Sequence, residues 1–208
     1  MTPANIAVFA SGNGSNYEAL MAYFSGAGRE AGRVVLLVCD RPGAFVLERA
    51  KKWGTPVFVT SPKLFASKAD YEQAVLKELQ AYDVDFIVLA GYMRLIGPAL
   101  LHPYMGRVVN IHPSLLPAFP GLDAIGQALD YGVRVTGITI HFVDEGMDTG
   151  PIIAQFPVTV AVNETKESLT RKIQEAEHEW YPKVVQKCVQ RKIRFEGGKV
   201  QWDQASVL

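Results

Sequence analysis

Two short segments of this chain carry the side chains best suited to chemistry on a carbonyl group. Asn110 and His112 stand two positions apart at the end of an apolar run, and Asp148 follows a second such run. Side chains alternate faces along a β-strand, so Asn110 and His112 are expected on the same face, and Pro113 is expected to end the strand. The segment therefore predicts an amide donor beside a titratable imidazole, able to grip a carbonyl and move a proton.

Each of these residues alone has a structural interpretation. His112 could be a hydrogen-bonded core histidine, Asn110 a turn former and Asp148 a loop residue. As a set they supply an oxyanion donor, an acid–base group and a carboxylate that holds the imidazolium charged, which favours function. Ser114 lacks the glycine context of a nucleophile elbow. The four histidines show no zinc-binding spacing, so no metal is expected.

Length and composition fit a single domain spanning residues 1–208. Cys39 and Cys188 are interpreted as small core residues, which indicates a reducing, cytoplasmic setting. Basic and acidic residues both number 21, and no basic run suggests a nucleic-acid partner. The N-terminus has no targeting or membrane-spanning pattern. A small-molecule partner is expected, while the choice between monomer and homodimer stays open.

The first half of the chain alternates strand and helix patterns. Apolar runs at Ile6–Ala10, Val34–Cys39 and Phe86–Ala90 are typical of strands buried on both faces. Between them, apolar residues recur at helical spacing over 17–24 and 71–82. This order predicts an α/β fold with a mainly parallel sheet and helices on both faces.

The second half changes character. Residues 136–142 alternate in polarity and 151–160 form another run, which together predict two antiparallel strands. Thr165 is placed to cap a last helix that continues to Cys188. Gly197 and Gly198 predict a turn between short tail strands.

The segment Ser11–Asn16 is a glycine-rich connection between the first strand and the first helix. Free backbone N–H groups at such a helix start form a site for phosphate. The dinucleotide fingerprint fails because Tyr17 stands where its third glycine belongs, and no lysine completes a P-loop. The structural alternative is a tight turn in which Ser15 or Asn16 caps the helix.

Four segments together resemble the phosphoribosylglycinamide formyltransferase family, the folate-dependent transformylases of purine synthesis. They are Ser11–Asn16, Leu89–Arg94, Asn110–Pro117 and His141–Pro151. The third segment alone indicates only the wider folate-dependent formyl-transfer group, and the N-terminal glycine loop narrows the choice. The resemblance implies a Rossmann-like formyltransferase fold. It also implies transfer of a formyl group from 10-formyltetrahydrofolate to the amine of phosphoribosylglycinamide.

Roles for individual residues follow from this resemblance. Asn110 would hold the formyl oxygen, His112 would act as general acid, and Asp148 would favour the imidazolium form and relay the proton of the amine. The substrate would be bound by Gly14, Ser15, Asn16, Pro113, Gln174 and Glu177. The folate would contact Lys68, Met93, Arg94, Leu95, Ile96, Asn110, His141, Asp144, Glu145, Gly146, Met147 and Asp148.

Some of these assignments have plain structural alternatives. Met93 and Leu95 could be core residues, and Glu177 could be a solvated helix charge. Lys68 stands where many relatives carry arginine near the folate tail, and a lysine cannot make the same bidentate contact with a carboxylate.

Rival functions use parts of the same residue set. Another folate-dependent formyltransferase, acting on an aminoacyl-tRNA or an amino sugar, or a formyltetrahydrofolate hydrolase would share the trio. The absence of room for an added domain argues against the hydrolase and the tRNA enzyme. A non-catalytic phosphosugar-binding module would use the glycine loop alone. A dinucleotide oxidoreductase is a further alternative, which the failed fingerprint disfavours.

Overall fold

The computed structural model describes residues 2–203 of the chain. Its elements in chain order are β1 (Ala4–Ala10), α1 (Ser15–Ser25), β2 (Gly32–Cys39), α2 (Val46–Trp53), β3 (Val57–Val59), a 3₁₀ turn (Pro62–Leu64), α3 (Lys68–Ala81), β4 (Phe86–Leu89), α4 (Pro98–Leu101), β5 (Val108–His112), α5 (Ala124–Tyr131), β6 (Val135–Phe142), β7 (Ile152–Thr159), α6 (Lys166–Val189), β8 (Ile193–Glu196) and β9 (Lys199–Trp202). The expected single domain of residues 1–208 includes residue 1 and residues 204–208, which lie outside the described residues.

Seven strands form one sheet in the order β3-β2-β1-β4-β5-β6-β7. Strands β1 to β5 pair in parallel, whereas β6 runs antiparallel to both β5 and β7. Strands β8 and β9 form a separate hairpin. The predicted α/β fold, with a mainly parallel sheet and antiparallel strands in the C-terminal half, is confirmed.

The central strands are apolar on both faces because helices cover both sides of the sheet. In β1, Ile6 and Val8 pack into a cluster with residues of α1 and α6, while Ala7 and Phe9 pack into a second cluster with α3 and α4. Cys39 and Cys188 are buried free thiols in the first cluster, as expected. Within residues 2–203, no helix is both long and apolar enough to cross a bilayer.

Helix α6 is the longest helix described and lies across the strands that carry the candidate site. Thr165 caps it as predicted: its hydroxyl accepts from the backbone N–H of Ser168, whose own hydroxyl accepts in return from the N–H of Thr165. Farther along, the Tyr181 hydroxyl reaches the carbonyl oxygens of Leu89 (2.8 Å) and Val109 (3.2 Å). These contacts tie α6 to the last residue of β4 and to the beginning of β5.

The strand order reverses at β1, whose neighbours are β2 on one side and β4 on the other. Connections from these strands depart in opposite directions and leave a crevice at their carboxyl ends, where open α/β sheets bind ligands. The glycine loop after β1 and the segment after β4 border this crevice. Asn110 and His112 stand at the end of the adjacent β5.

Candidate active site

A cleft of about 580 Å³ opens at the carboxyl ends of β1, β4 and β5. This volume is in the range of ligand sites that enclose small molecules. The predicted site residues that line it are Gly14, Ser15, Asn16, Met93, Arg94, Leu95, Ile96, Asn110, His112, Pro113, His141, Gly146, Met147, Asp148, Gln174 and Glu177. Residues from distant parts of the chain therefore meet around one cavity.

The glycine loop takes a shape that only glycine adopts easily. Gly14 is the N-cap of α1 with φ of +80°, in the left-handed region. A Cβ added there would lie 2.7 Å from Cβ of Val46. Among the described side chains none caps this helix end, so the alternative in which Ser15 or Asn16 caps α1 is wrong. The first turn of α1 therefore has no capping side chain, and Gly14, Ser15 and Asn16 line the cleft.

The segment after β4 is fastened to the glycine loop. The N–H of Ser11 donates to the carbonyl of Gly91 (3.1 Å), and the N–H of Met93 donates to the Ser11 hydroxyl (2.9 Å). Met93 and Leu95 are at least half exposed, so the alternative that they are core residues is wrong. Their side chains and backbone border the cleft instead.

Arg94 is restrained by the end of β2. Its Nε donates to the buried carboxylate of Asp40 at 2.6 Å. The Asp40 side chain is almost fully buried, so this charge-assisted bond fixes the arginine at the cleft wall.

The amide of Asn110 is oriented by His141 on the neighbouring strand. Nδ1 of His141 lies 2.8 Å from the carbonyl of Phe142 and therefore carries the proton that it donates. Burial lowers the pKa of His141, against smaller opposing effects of the Phe142 carbonyl and Asp148. The neutral ring accepts through Nε2 from the Asn110 amide nitrogen at 3.2 Å. That nitrogen has a second N–H for a ligand in the cleft.

His112 lies between two oxygen acceptors. Its Nε2 is 2.8 Å from the carbonyl oxygen of Phe119, and its Nδ1 is 3.3 Å from Oδ2 of Asp148. The Phe119 carbonyl can only accept, so Nε2 carries the proton of that hydrogen bond, and the Asp148 carboxylate is near enough to Nδ1 to form an ion pair when the ring is protonated on both nitrogens. The His112 side chain is nearly buried, which strengthens the interaction with the carboxylate.

Asp148 is held in position by backbone geometry as well as by hydrogen bonds. Its φ of +57° lies in the left-handed region, where Asp and Asn are the non-glycine residues best tolerated. Its Oδ2 accepts from the N–H of Gly121 at 2.8 Å. Upstream in the same loop, Oδ1 of Asp144 accepts from the N–H of Gly146 (3.0 Å) and from the Thr149 hydroxyl (2.7 Å). The loop is therefore pre-shaped to present one carboxylate to His112.

Helix α6 contributes a second acidic group at the other end of the cleft. Glu177 is 8% exposed, so the alternative of a solvated helix charge is wrong. Its Oε2 accepts from the amide nitrogen of Asn16 at 2.9 Å. Burial raises the pKa of Glu177 to about 7, and the Asn16 hydrogen bond opposes this only in part. Gln174, one turn earlier, is exposed and lines the cleft.

Three residues assigned to the folate site do not line the cleft. The ammonium of Lys68 lies 3.7 Å from the Glu72 carboxylate at the start of α3. Asp144 shapes its own loop, and Glu145 lies on the surface near His102. Contacts of these residues with a folate stay predictions. No group of three His, Cys, Asp or Glu side chains suited to a metal ion occurs within residues 2–203.

Sequence reasoning missed several groups that shape the site. The Phe119 carbonyl and the Gly121 N–H are backbone groups, for which residue identity gives no signal. Thr139 is buried behind the loop that follows His112. In the sequence it is indistinguishable from any other strand residue. Arg49 belongs to α2, a two-turn helix that is too short to produce a clear periodic pattern.

With this geometry in place, comparison with known proteins gives the family. A sequence model of the family described as "Formyl transferase" matches residues 4–185 of the chain. The chain belongs to the formyl transferase family. The match covers every strand of the seven-stranded sheet and all of the residues that line the cleft.

This chain is similar to one relative of about its own length and to part of a much longer one. It is 52% identical over 183 residues to phosphoribosylglycinamide formyltransferase of Bacillus subtilis, covering 88% of this chain and 93% of that one. It is 44% identical over 181 residues to the trifunctional purine biosynthetic protein adenosine-3 of Drosophila melanogaster, covering 86% of this chain but 13% of that protein. The crystal structure of glycinamide ribonucleotide transformylase 1 from Symbiobacterium toebii superposes with a TM-score of 0.92 at 42% identity, covering 97% and 94% of the two chains.

Proposed function

We propose that this formyl transferase transfers the formyl group of 10-formyltetrahydrofolate to the amine of phosphoribosylglycinamide, in purine biosynthesis. The single observation that supports this best is one continuous cleft. It runs from the free N–H groups of the glycine loop to the Asn110, His112 and Asp148 cluster. A phosphate bound at one end of this cleft brings an attached amine toward the acid–base groups at the other. The Bacillus subtilis relative and the Symbiobacterium toebii structure bear the matching enzyme name.

The phosphoribosyl end of the substrate fits the α1 side of the cleft. Backbone N–H groups at Ser15 and Asn16 face a phosphate, as helix N-termini commonly do. The Oδ1 atom of Asn16 is buried without a hydrogen-bond partner among residues 2–203, and a substrate hydroxyl would satisfy it. Glu177 lies beside it as an acceptor for a ribose hydroxyl or an amine proton.

The folate end fits the opposite wall, where the segment after β4 faces the loop that carries Asp148. When bound, the folate supplies an activated formyl carbon attached to its N10 nitrogen. The exposed side chains of Met93 and Leu95 provide an apolar contact surface for a flat ring, and Met147 covers it from the facing loop. The buried Ile96 anchors this wall in the core beneath.

The proton inventory of the site fits direct transfer. As the substrate amine attacks the formyl carbon, a C–N bond forms and negative charge develops on the formyl oxygen, which the second N–H of Asn110 stabilises. Asp148 takes up the proton released by the attacking nitrogen. In its protonated form, His112 supplies a proton to the folate nitrogen as the bond from that nitrogen to the formyl carbon breaks, with the carboxylate of Asp148 3.3 Å from its Nδ1. The amine loses one proton and the folate gains one.

Formyl transfer from 10-formyltetrahydrofolate to phosphoribosylglycinamide, followed by absorbance of the released tetrahydrofolate, tests this proposal. The parent protein is expected to turn over, and His112→Ala is expected to lose roughly 100- to 10,000-fold in kcat, the usual contribution of a positioned acid. A parent that binds the phosphorylated substrate without turnover would instead support a non-catalytic binding module. Formyl release to water without transfer would support a hydrolase. The cytoplasmic location and the oligomeric state stay predictions.

A further inference from the structure

We propose that Arg49 of α2 is a positioning residue that sets the shape of the phosphate loop, and thereby controls affinity for the phosphorylated substrate. The inference rests on the proposed function, because it assumes that the substrate phosphate binds at Gly14 to Asn16. It concerns a residue outside the cleft lining, on a helix that the sequence pattern did not predict.

Helix α2 abuts the glycine loop through backbone and side chain. The N–H of Val46, the first residue of α2, donates to the carbonyl of Gly12 at 3.1 Å. Its side chain fills the space where Gly14 would carry a Cβ. The loop therefore rests on the start of α2, and any shift of that helix moves the N–H groups that face the phosphate.

The guanidinium of Arg49 makes contacts on all three of its nitrogens. Nε donates to the backbone carbonyl of Asn13 at 2.9 Å, and one terminal nitrogen donates to the side-chain oxygen of the same residue at 2.9 Å. The other terminal nitrogen forms an ion pair with Glu18 in the first turn of α1. One side chain thus joins α2, the middle of the loop and the start of α1.

This arrangement requires the planar fork of arginine. A lysine has one compact ammonium and cannot reach the Asn13 carbonyl, the Asn13 side chain and Glu18 in one plane. The Arg49 side chain is 23% exposed and lies against the ring of Phe45 at 5.1 Å, so its orientation is fixed from the solvent side as well. Arg49 acts on the substrate through Asn13, which lines the cleft.

Steady-state kinetics of Arg49→Lys and Arg49→Met test the proposal. Each variant is expected to raise KM for phosphoribosylglycinamide roughly 10- to 100-fold, the range for lost hydrogen bonds to a charged group. KM for 10-formyltetrahydrofolate and kcat are expected to change less than about threefold. With dephosphorylated ribosylglycinamide as substrate, the parent and both variants are expected to have the same KM, because the loop then has no phosphate to bind.

The matched control is Lys52→Met. Lys52 lies on the same helix and its ammonium is 3.7 Å from the same Glu18 carboxylate, but it is 75% exposed and does not contact the loop. It should leave both KM values unchanged. An equal KM increase in Lys52→Met would show that only net charge matters, and parental KM in Arg49→Lys would show that the fork is unnecessary; either overturns the proposal.

Two further outcomes bear on the test. A thermal melt identifies variants that fail to fold, and Arg49→Lys, which keeps the charge and helix propensity, then decides alone. Failure of the parent to use phosphoribosylglycinamide refutes the proposed function rather than the role of Arg49. In that case, binding of inorganic phosphate to the parent and to Arg49→Lys by calorimetry decides the positioning role: equal affinity overturns it, and weaker binding to the variant supports it.

Discussion

The amide nitrogen of Asn16 donates to Oε2 of Glu177 at 2.9 Å and so joins the first turn of α1 to the middle of α6 across 161 sequence positions. Both residues line the cleft, and the glutamate is 8% exposed. A buried carboxylate with one neutral donor is stabilised less than it would be in water. The pair therefore holds the Glu177 carboxylate at the substrate cleft, and the burial of this carboxylate lowers the free energy of unfolding by an amount that depends on pH.

Glu177→Gln is expected to remove that pH dependence. The folded pKa is raised from 4.5 to about 7, so between these values the folded protein keeps a proton that the unfolded chain releases. The free energy of unfolding therefore falls as pH rises through this window. Above pH 7 the variant should be more stable by up to about 3 kcal/mol, at 1.36 kcal/mol for each tenfold change in proton affinity.

Urea unfolding of the substrate-free protein from pH 4 to 8 measures this effect. The exposed Glu175 on the same helix supplies the control, since Glu175→Gln should preserve the parental slope. Parallel stability profiles for the parent and Glu177→Gln would contradict the raised pKa.

Asp148→Asn is expected to fold normally and to lose most of its turnover. Asparagine tolerates the φ of +57° and can still accept from the Gly121 N–H, so the loop keeps its shape. It lacks the negative charge that faces Nδ1 of His112 at 3.3 Å and cannot take up the amine proton. We expect kcat to fall roughly 100-fold or more while the melting temperature changes little. Unchanged kcat at neutral pH would remove Asp148 from the mechanism.

The parallel part of the sheet was predictable because strands buried on both faces consist of consecutive apolar residues. The runs that became β1, β2 and β4 are nearly unbroken in apolar residues, and the alternation at 136–142 gave the antiparallel β6. Helix α6 was predictable from its Thr165 cap and long apolar stripe. Helix α2 was missed because eight residues span only two turns, and β3 because three residues carry no period.

The candidate site was predictable where side chains do the chemistry and not where the backbone does. Asn110 and His112 could be paired from their spacing, and they line one cleft. Nothing in the sequence indicates that the second acceptor of His112 is the carbonyl of Phe119, seven positions away. The role of Arg49 depends on a turn between β2 and α2 that brings it to Asn13, a tertiary contact 36 positions apart.

Gly14→Ala is expected to impair both folding and substrate binding. An alanine at φ of +80° costs about 1–2 kcal/mol, and its Cβ would also collide with Val46. Val46→Ala in the same protein should recover only part of the loss, because it removes the Cγ2 that would collide with the new Cβ but keeps the Cβ of residue 46 at 2.7 Å. Gly12→Ala is the control for stability, since a Cβ there meets nothing within 4 Å. Calorimetric melting of the three variants separates these contributions, and equal losses at Gly12 and Gly14 would contradict the assignment.

The loop that follows β5 is folded around one buried hydroxyl. Oγ1 of Thr139 donates to the carbonyl of Ser114 (2.6 Å) and accepts from the N–H of Leu116 (2.9 Å), and the amide of Gln155 bonds to it at 3.0 Å. The Ser114 hydroxyl then donates to the carbonyl of Ala118 (2.5 Å). These bonds fix the residue before Phe119, whose carbonyl is the acceptor for Nε2 of His112.

Thr139→Val should therefore weaken catalysis without touching the cleft. Valine keeps the shape of threonine but leaves the Leu116 N–H and the Ser114 carbonyl buried and unpaired, at about 1–3 kcal/mol each. The loop is expected to relax, and displacement of the Phe119 carbonyl should lower kcat about tenfold or more. Thr139→Ser keeps the hydroxyl and should retain kcat despite a small loss of packing. Steady-state kinetics and urea unfolding of both variants measure these effects. A loss of stability in Thr139→Val with parental kcat would show that the loop has only a structural role.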